Sequence, residues 1–223
     1  MINNIPTKKL IEAFLNLQER YSFEKRHLVT ADRYVQIHNA GLIPKGDYTN
    51  SILRESLLEH VGHLPVLATF LHPYVEHSAD IDLGRVLYML AIHDIGETIT
   101  GDVFTYDKTS AQEDSELKAA MSLLELSQQA IYSEYEERST LEAKYAKAID
   151  ALAPVMHSMY YPQVKIDNFR IKGAKIKDMV DHKKKYFIWD RVLDDIFDLC
   201  TVHYLLVESG GEGIFATKYE RSD

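Results

Sequence analysis

His93 and Asp94 follow directly on the apolar segment Leu83–Ile92. A carboxylate at the end of a buried-looking segment is costly unless a cation or hydrogen bonds compensate its charge. An imidazole and a carboxylate are both common ligands of divalent cations. The pair therefore predicts a metal site at the end of this segment.

Two further residues complete a candidate ligand set. His60 lies in an earlier apolar segment, and Asp150 lies in a later one. Neighbouring helix residues point about 100° apart, so His93 and Asp94 reach one ion only if other helices complete its shell. Two imidazoles and two carboxylates suit one divalent ion, and the choice among Co, Mn, Fe, Zn and Mg stays open.

Two charged residues share a helix face with these candidates. Glu97 follows His93 by four residues, a spacing that places it to orient a water molecule. Lys147 precedes Asp150 by three residues and is a candidate contact for a substrate phosphate. The alternative is that Glu97 is an ordinary helix-face carboxylate and that Lys147 belongs to a solvated charged face.

Four stretches carry a resemblance to a known family. They are Glu55-Ser-Leu-Leu-Glu-His60, His93-Asp-Ile-Gly-Glu97, Gly101-Asp102 and residues 135–150. Together they resemble the HD-domain metal-dependent phosphohydrolases, and the branch that contains the 5′-deoxynucleotidases. The similarity extends over about residues 53–160.

The resemblance implies a single metal ion and two catalytic acids. The acid at the position of Glu97 lies near the metal-bound water in that family, and the one at Asp102 assists proton transfer. Asp102 also has a simpler interpretation as a turn residue after Gly101. The Arg-Trp pair that helps the family select deoxyribose is not found here: Lys45 and Arg54 are the cations in that region, and Arg33-Tyr34 is a remote alternative. Arg54 is therefore only a candidate substrate contact.

Apolar residues recur at intervals of three and four throughout the chain, which predicts an all-α fold of six or seven helices without a sheet. We expect a single HD-type helical bundle over residues 1–223, with a core of about 52–160 and a helical extension over 161–223. Ser139 is the predicted cap of the helix that carries Asp150, with Glu142 reaching back. Asp80 or Asp82 is expected to cap the helix that carries His93.

Composition limits the possible partners. The 223 residues carry a formal net charge of -9, which disfavours a nucleic-acid polymer but leaves a small anionic ligand possible. A single cysteine, Cys200, and the lack of a signal peptide or membrane span favour the cytoplasm. Residues 172–185 form a basic stretch that is expected to be solvated, and residues 161–223 are expected to shape the pocket or build a homodimer contact.

The sequence thus predicts an enzyme that removes phosphate from a nucleoside 5′-monophosphate, preferably a deoxynucleotide, or from a similar small phosphate ester. A metal-stabilised, non-catalytic nucleotide-binding or regulatory module is the alternative from another class. Hydrolysis of a signalling nucleotide is a further possibility. His63 and His157 are interpreted as structural or pocket-lining, and most of the tyrosines at 132, 135, 145, 160 and 161 as packing residues.

Overall fold

The computed structural model describes residues 7–215, which form eleven α-helices, four short 3₁₀ helices and two β-strands. In chain order the α-helices and strands are α1 (Thr7–Phe23), β1 (Lys25–Val29), α2 (Ala31–Asn39), β2 (Arg54–Ser56), α3 (Leu57–Leu71), α4 (Leu83–Ile92), α5 (Glu97–Thr100), α6 (Ser110–Leu123), α7 (Leu126–Glu137), α8 (Leu141–Met156), α9 (Pro162–Ile171), α10 (Ile176–Lys183) and α11 (Arg191–Glu208). The 3₁₀ helices are Ser51–Leu53, His72–Tyr74, Ser78–Asp80 and Lys184–Tyr186. None of the helices between residues 7 and 215 has both the length and the apolar character needed to cross a membrane.

The all-α, HD-type class predicted from the sequence is confirmed, but two details were wrong. There are more helices than six or seven, because several are only four to ten residues long and leave little periodic signal. A small sheet is also present, in which β1 pairs antiparallel with β2 and Lys25 lies opposite Ser56. Strands of five and three residues are too short for alternation to be recognised.

The main core lies where α3, α4 and α8 pack together. Leu64, Leu90 and Ile149 are fully buried there, and burying such a side chain contributes about 1.5–3 kcal/mol. The C-terminal helices share the same core, since Phe187 stacks on Phe197 at a centroid distance of 4.4 Å. Residues beyond 161 therefore complete the apolar core that holds the three central helices.

Hydrogen-bonded caps set where these three helices begin. Ser56 and Glu59 form a reciprocal capping box at the start of α3. Asp82 caps α4, as one of the two predicted candidates, by accepting a hydrogen bond from the backbone of Arg85 at 3.2 Å. The cap predicted for α8 was one residue too early, because Thr140 rather than Ser139 accepts the backbone N–H of Ala143.

Candidate active site

The four predicted metal ligands lie together at the junction of α3, α4 and α8. His60 Nε2 is 3.2 Å from Asp150 Oδ1 and 3.6 Å from Asp94 Oδ2. His93 Nε2 is 3.1 Å from Asp94 Oδ1 and 3.5 Å from Asp150 Oδ1. We call these four side chains the cation pocket.

The orientation of His93 suits it to bind a cation. Its Nδ1 lies 2.9 Å from the carbonyl oxygen of Leu90, which can only accept, so Nδ1 carries the proton. In the neutral form that binds a metal, the lone pair of the imidazole is therefore on Nε2, which is buried and has no hydrogen-bond partner among the described residues. An orphaned nitrogen facing two carboxylates is what a metal ligand requires, and the mixed nitrogen and oxygen donors fit a divalent transition metal.

The outer oxygens of the two carboxylates are held by cationic side chains. Arg26 of β1 donates to Asp94 Oδ2. Lys147 Nζ donates to Asp150 Oδ2 at 2.9 Å, and the Tyr135 hydroxyl donates to the same oxygen at 3.0 Å. Asp150 is thus fixed by Oδ2 while its Oδ1 faces both histidines. Asp94 turns Oδ1 to His93, and its Arg26-bound Oδ2 also lies 3.6 Å from His60. Arg26 was missed in the sequence because it is 68 residues away from Asp94.

The electrostatic field of the cation pocket favours positive charge. Burial opposes protonation of His93, but the carboxylates of Asp94 and Asp150 outweigh it and raise the pKa of His93 to about 10. Burial would raise the pKa of Asp94, yet the charges of His93 and Arg26 hold it below its usual range. A divalent cation satisfies the same demand for positive charge that these shifts express.

Glu55 contacts the cation pocket from behind. Its Oε2 is buried and lies 3.6 Å from His60 Nδ1, on the side of the ring opposite the pocket. A carboxylate at this position helps to orient a ligating histidine. Glu55 begins one of the four resembling stretches, so the sequence did contain a signal for it. Donor atoms of Glu55, His63 and His157 also lie within 4.8 Å of one another.

The sequence predicted that the helix carrying His93 continues to Glu97, but in the structure it does not. The chain leaves α4 at Ile92 and makes tight turns before α5 begins at Glu97. A Cβ on Gly96 would lie 2.5 Å from the carbonyl oxygen of Glu116, so glycine is needed where the chain passes α6. Glu97 is nevertheless buried beside the pocket, and burial together with Asp94 raises its pKa well above the usual range.

Asp102 lies on the N-terminal side of the site. Gly101 has a φ of 80°, which turns the chain out of α5 and directs Asp102 towards β1. Asp102 Oδ2 accepts the backbone N–H of His27 at 2.5 Å. The small sheet thus supplies a partner for Asp102 as well as the arginine that holds Asp94.

A cleft with two lobes opens beside these residues. Asp102, Lys147 and Asp150 border both lobes, whereas Arg54 borders neither. The larger lobe has a volume of about 470 Å³ and includes His93, Asp94 and Glu97 in its wall. The smaller lobe has a volume of about 160 Å³.

Residues of the C-terminal extension line the smaller lobe. They include Lys165 and Asn168 of α9 and Lys183 of α10. The expectation that the basic stretch 172–185 is solvated throughout is therefore wrong at Lys183, which turns inward from the end of α10. Tyr132, Tyr135 and Tyr145 are buried packing residues as predicted, the first two at the wall of the larger lobe.

The chain is similar to known proteins over much of this region. The HD domain family matches residues 46–188. A Schizosaccharomyces pombe protein named 5′-deoxynucleotidase is 29% identical over 48% of this chain and 58% of that protein. A Bos taurus protein of the same name is 24% identical over 68% of this chain and 74% of that protein.

Two solved structures have a related fold. One is described as a predicted metal-dependent phosphohydrolase from Magnetospirillum magnetotacticum, with a TM-score of 0.68, 23% identity and coverage of 91% of this chain and 96% of that one. The other is a conserved hypothetical protein from Pyrococcus furiosus, with a TM-score of 0.55, 22% identity and coverage of 85% and 98%. Both likenesses concern the fold.

Proposed function

The chain belongs to the HD domain family, and on that premise we propose that it is a metal-dependent phosphohydrolase acting on a nucleoside 5′-monophosphate or a similar small phosphate ester. The observation that carries the proposal is the convergence of two imidazoles and two carboxylates beside a cleft, with the outer oxygen of each carboxylate already held. The names of the two curated relatives support a nucleotide substrate, with deoxyribose preferred.

His60, His93, Asp94 and Asp150 would hold one divalent ion. When bound, such an ion polarises a phosphoryl oxygen and makes hydroxide available near neutral pH. Its identity among Co, Mn, Fe, Zn and Mg is left open by this ligand set.

The protein's own groups then position the ester and move protons. Lys147 and Arg26 border the cleft and contribute positive charge next to the phosphate. In the reaction, the oxygen of water bonds to phosphorus as the ester P–O bond breaks. The departing alkoxide takes up a proton, and the attacking water loses one.

Glu97 and Asp102 are the groups we assign to these two proton transfers. Burial and then the charge of Asp94 raise the pKa of Glu97 well above its usual range, which favours the protonated form that a donor to the leaving oxygen requires. Asp102 borders the same lobe as Glu97, is fixed by the backbone of His27, and is suited to accept a proton. Arg54 borders neither lobe, so a substrate contact for it stays a prediction.

A phosphate-release screen tests the proposal. The purified chain is stripped of metal and assayed with Co, Mn, Fe, Zn or Mg on matched ribo- and deoxyribonucleoside 5′-monophosphates. We expect release with at least one metal and faster release from the deoxy series. Absence of release with every metal and every ester would overturn the enzymatic proposal, while equal rates on both series would overturn only the sugar preference.

A further inference from the structure

Two lysines project into the smaller lobe of the cleft from the C-terminal extension. Lys165 Nζ donates to the carbonyl oxygen of Pro154 at 2.8 Å, and Lys183 Nζ donates to that of Ala151 at 2.8 Å. Both carbonyls belong to the last turns of α8, the helix that carries Asp150. We call Lys165 and Lys183 the lysine pair.

The lysine pair has no counter-charge within contact distance. Among the side chains that the structure describes, no carboxylate oxygen lies within 4.0 Å of either ammonium, although Lys165 is only 4% exposed. Lys147 and Lys184, in contrast, are paired with Asp150 and with Asp194 at 2.9 and 2.8 Å. Lys165 Nζ also lies over the rings of Phe169 and Tyr204, at 5.2 and 5.8 Å from their centroids. A buried ammonium that has carbonyl and ring contacts but no carboxylate partner is still an expensive arrangement.

The cost of this arrangement appears in the basicity of the two amines. Burial and then the neighbouring charge of Lys183 lower the pKa of Lys165 to about 7. Burial lowers the pKa of Lys183 to about 8, against the opposing effect of Asp150. The lobe therefore favours the arrival of negative charge, which would restore both amines to their protonated form.

The two lobes differ in the sign of the charge that predominates along their walls. The smaller lobe is bordered by four cationic side chains, Arg26, Lys147, Lys165 and Lys183, against two carboxylates, Asp102 and Asp150. The larger lobe contains additional carboxylates, among them Glu97, Glu113, Asp114 and Glu116. A neutral nucleobase would leave the lysine pair uncompensated. Away from the cation pocket, an anionic group would be favoured by the smaller lobe over the carboxylate-rich wall of the larger one.

We infer that the lysine pair binds a second phosphate group of the substrate, so that the preferred substrates carry two phosphates, one at the cation pocket and one in the smaller lobe. This inference rests on the proposed function for the first phosphate. The second phosphate has two chemical sources, a diphosphate chain or a separate ester on the sugar, and both present the same dianionic oxygens to the lysines. Lys172, whose Nζ donates to the carbonyl of His27 at 2.5 Å, adds positive charge nearby.

A purely structural role is the competing explanation, because cations near the end of a helix stabilise its free carbonyls. The two explanations differ in what a substitution does. If the lysines only cap α8, Lys183→Met lowers the melting temperature and leaves nucleotide selectivity unchanged. If they bind phosphate, selectivity for the second phosphate is lost.

The test compares adenosine 5′-monophosphate, adenosine 5′-diphosphate and adenosine 3′,5′-bisphosphate on the metal-loaded, full-length protein. Dissociation constants from calorimetry and kcat/KM from product chromatography are measured for the wild type, Lys165→Met, Lys183→Met and the control Lys177→Met. Lys177 is an exposed lysine on the same helix as Lys183. Melting curves accompany each variant.

We expect at least one of the two doubly phosphorylated nucleotides to bind about 10-fold or more tightly than the monophosphate. That advantage should fall by about 10-fold in Lys165→Met and Lys183→Met and persist in Lys177→Met. Which nucleotide has the advantage identifies the source of the second phosphate. Equal binding of all three nucleotides, or an advantage that survives in both lysine variants, would overturn the inference.

The calorimetric measurements separate this inference from the proposed function. A wild type that releases no phosphate but binds the bisphosphate or diphosphate through the lysine pair refutes the function and supports the inference. A wild type that hydrolyses the monophosphate but binds the doubly phosphorylated nucleotides no more tightly supports the function and refutes the inference.

Discussion

The cation pocket and the lysine pair lie on either side of Asp150. They differ in whether their charged side chains have partners of opposite charge. In the cation pocket, Asp94 and Asp150 each have a fixed cationic partner on the outer oxygen. In the smaller lobe, Lys165 and Lys183 each donate to a carbonyl, and Lys165 also lies over two aromatic rings, but neither is paired with a carboxylate among the described side chains. The first region is organised before any ligand arrives, and the second is left with unpaired positive charge.

This difference separates two tasks. A site that must hold an ion in one geometry benefits from side chains that are already fixed, because no binding energy is used to order them. A site that selects a ligand benefits from charge that only the correct ligand compensates, since any other occupant leaves the charge buried and unpaired. The comparison therefore predicts large kinetic effects in the cation pocket and smaller effects on selectivity and stability in the lobe.

The largest effect is expected from His93→Ala. Loss of the orphaned Nε2 should abolish stoichiometric metal binding and reduce kcat/KM on the order of 10⁴-fold, because the metal supplies several kcal/mol of transition-state stabilisation. Metal content by elemental analysis and phosphate release measure the two losses. His77→Ala, at an exposed histidine, is the matched control. A His93→Ala protein that keeps one ion and normal turnover would show that the pocket is not the metal site.

The next largest effect is expected from Glu97→Gln and Asp102→Asn. Each should lower kcat by about 10²- to 10³-fold while the metal stays bound, because each removes a proton-transfer group and leaves the four ligands intact. Glu137→Gln changes an exposed carboxylate and should have no effect. The assignment fails for whichever acid can be replaced without a change in kcat.

A smaller effect is expected from Arg26→Met, which frees the outer oxygen of Asp94 but removes no ligand. Metal affinity, measured by competition with a chelator, should fall about 10- to 100-fold. Arg20→Met, at an exposed arginine of α1, is the control. Unchanged affinity in Arg26→Met would mean that the fixed outer oxygen is not what organises the pocket.

A pH effect of about 5-fold is expected in the lobe. The pKa of Lys165 is lowered to about 7 by burial and by Lys183, so above pH 7 a second phosphate binds only with uptake of a proton. The affinity for the doubly phosphorylated nucleotide should therefore fall about 5-fold between pH 7 and pH 8 through Lys165. Calorimetry in two buffers of different ionisation enthalpy measures the proton uptake. Lys165→Met should lose this dependence, and its persistence there would point to another group.

The smallest effect is expected on stability, and it is a gain. The pKa of Lys165 is lower in the folded protein than in the unfolded chain, so the unfolded chain binds more protons from about pH 7 to 10.5. The free energy of unfolding therefore decreases as the pH falls through this range, and the full loss is reached below about pH 7. Lys165→Met removes the penalty and should raise the free energy of unfolding at pH 6 by about 2 kcal/mol, or roughly 4–8 °C in Tm. Lys177→Met should leave Tm unchanged. A lower Tm in Lys165→Met would favour the helix-capping role.

Part of the cation pocket could be predicted from the sequence because that part of its signal is local. Asp94 directly follows an apolar helix, and a buried carboxylate there requires compensation wherever its partner comes from. The helical class likewise followed from local periodicity. His60 and Asp150, 90 residues apart, were chosen as the further ligands from their residue types and from the family resemblance, and the metal-binding role of all four stays a prediction.

What the sequence did not predict depends on contacts between distant segments. Arg26 reaches Asp94 only because β1 pairs with β2, and those strands are too short to be recognised. Lys183 lies in a basic stretch whose composition indicates a solvated surface, and only the packing of α10 beside α8 turns its ammonium inward. The predicted cap of α8 was one residue too early because Ser139 and Thr140 are both residue types that commonly cap helices.

The small sheet defines how much of the chain a working fragment must contain. The family match begins at residue 46, but Arg26 and the backbone of His27, which hold Asp94 and Asp102, belong to a strand some twenty residues earlier. A fragment cut to the boundaries of the match would retain all four predicted metal ligands and still lack the strand β1 that holds two of the acids in place. Anyone who trims this protein for crystallisation or engineering should therefore begin upstream of β1.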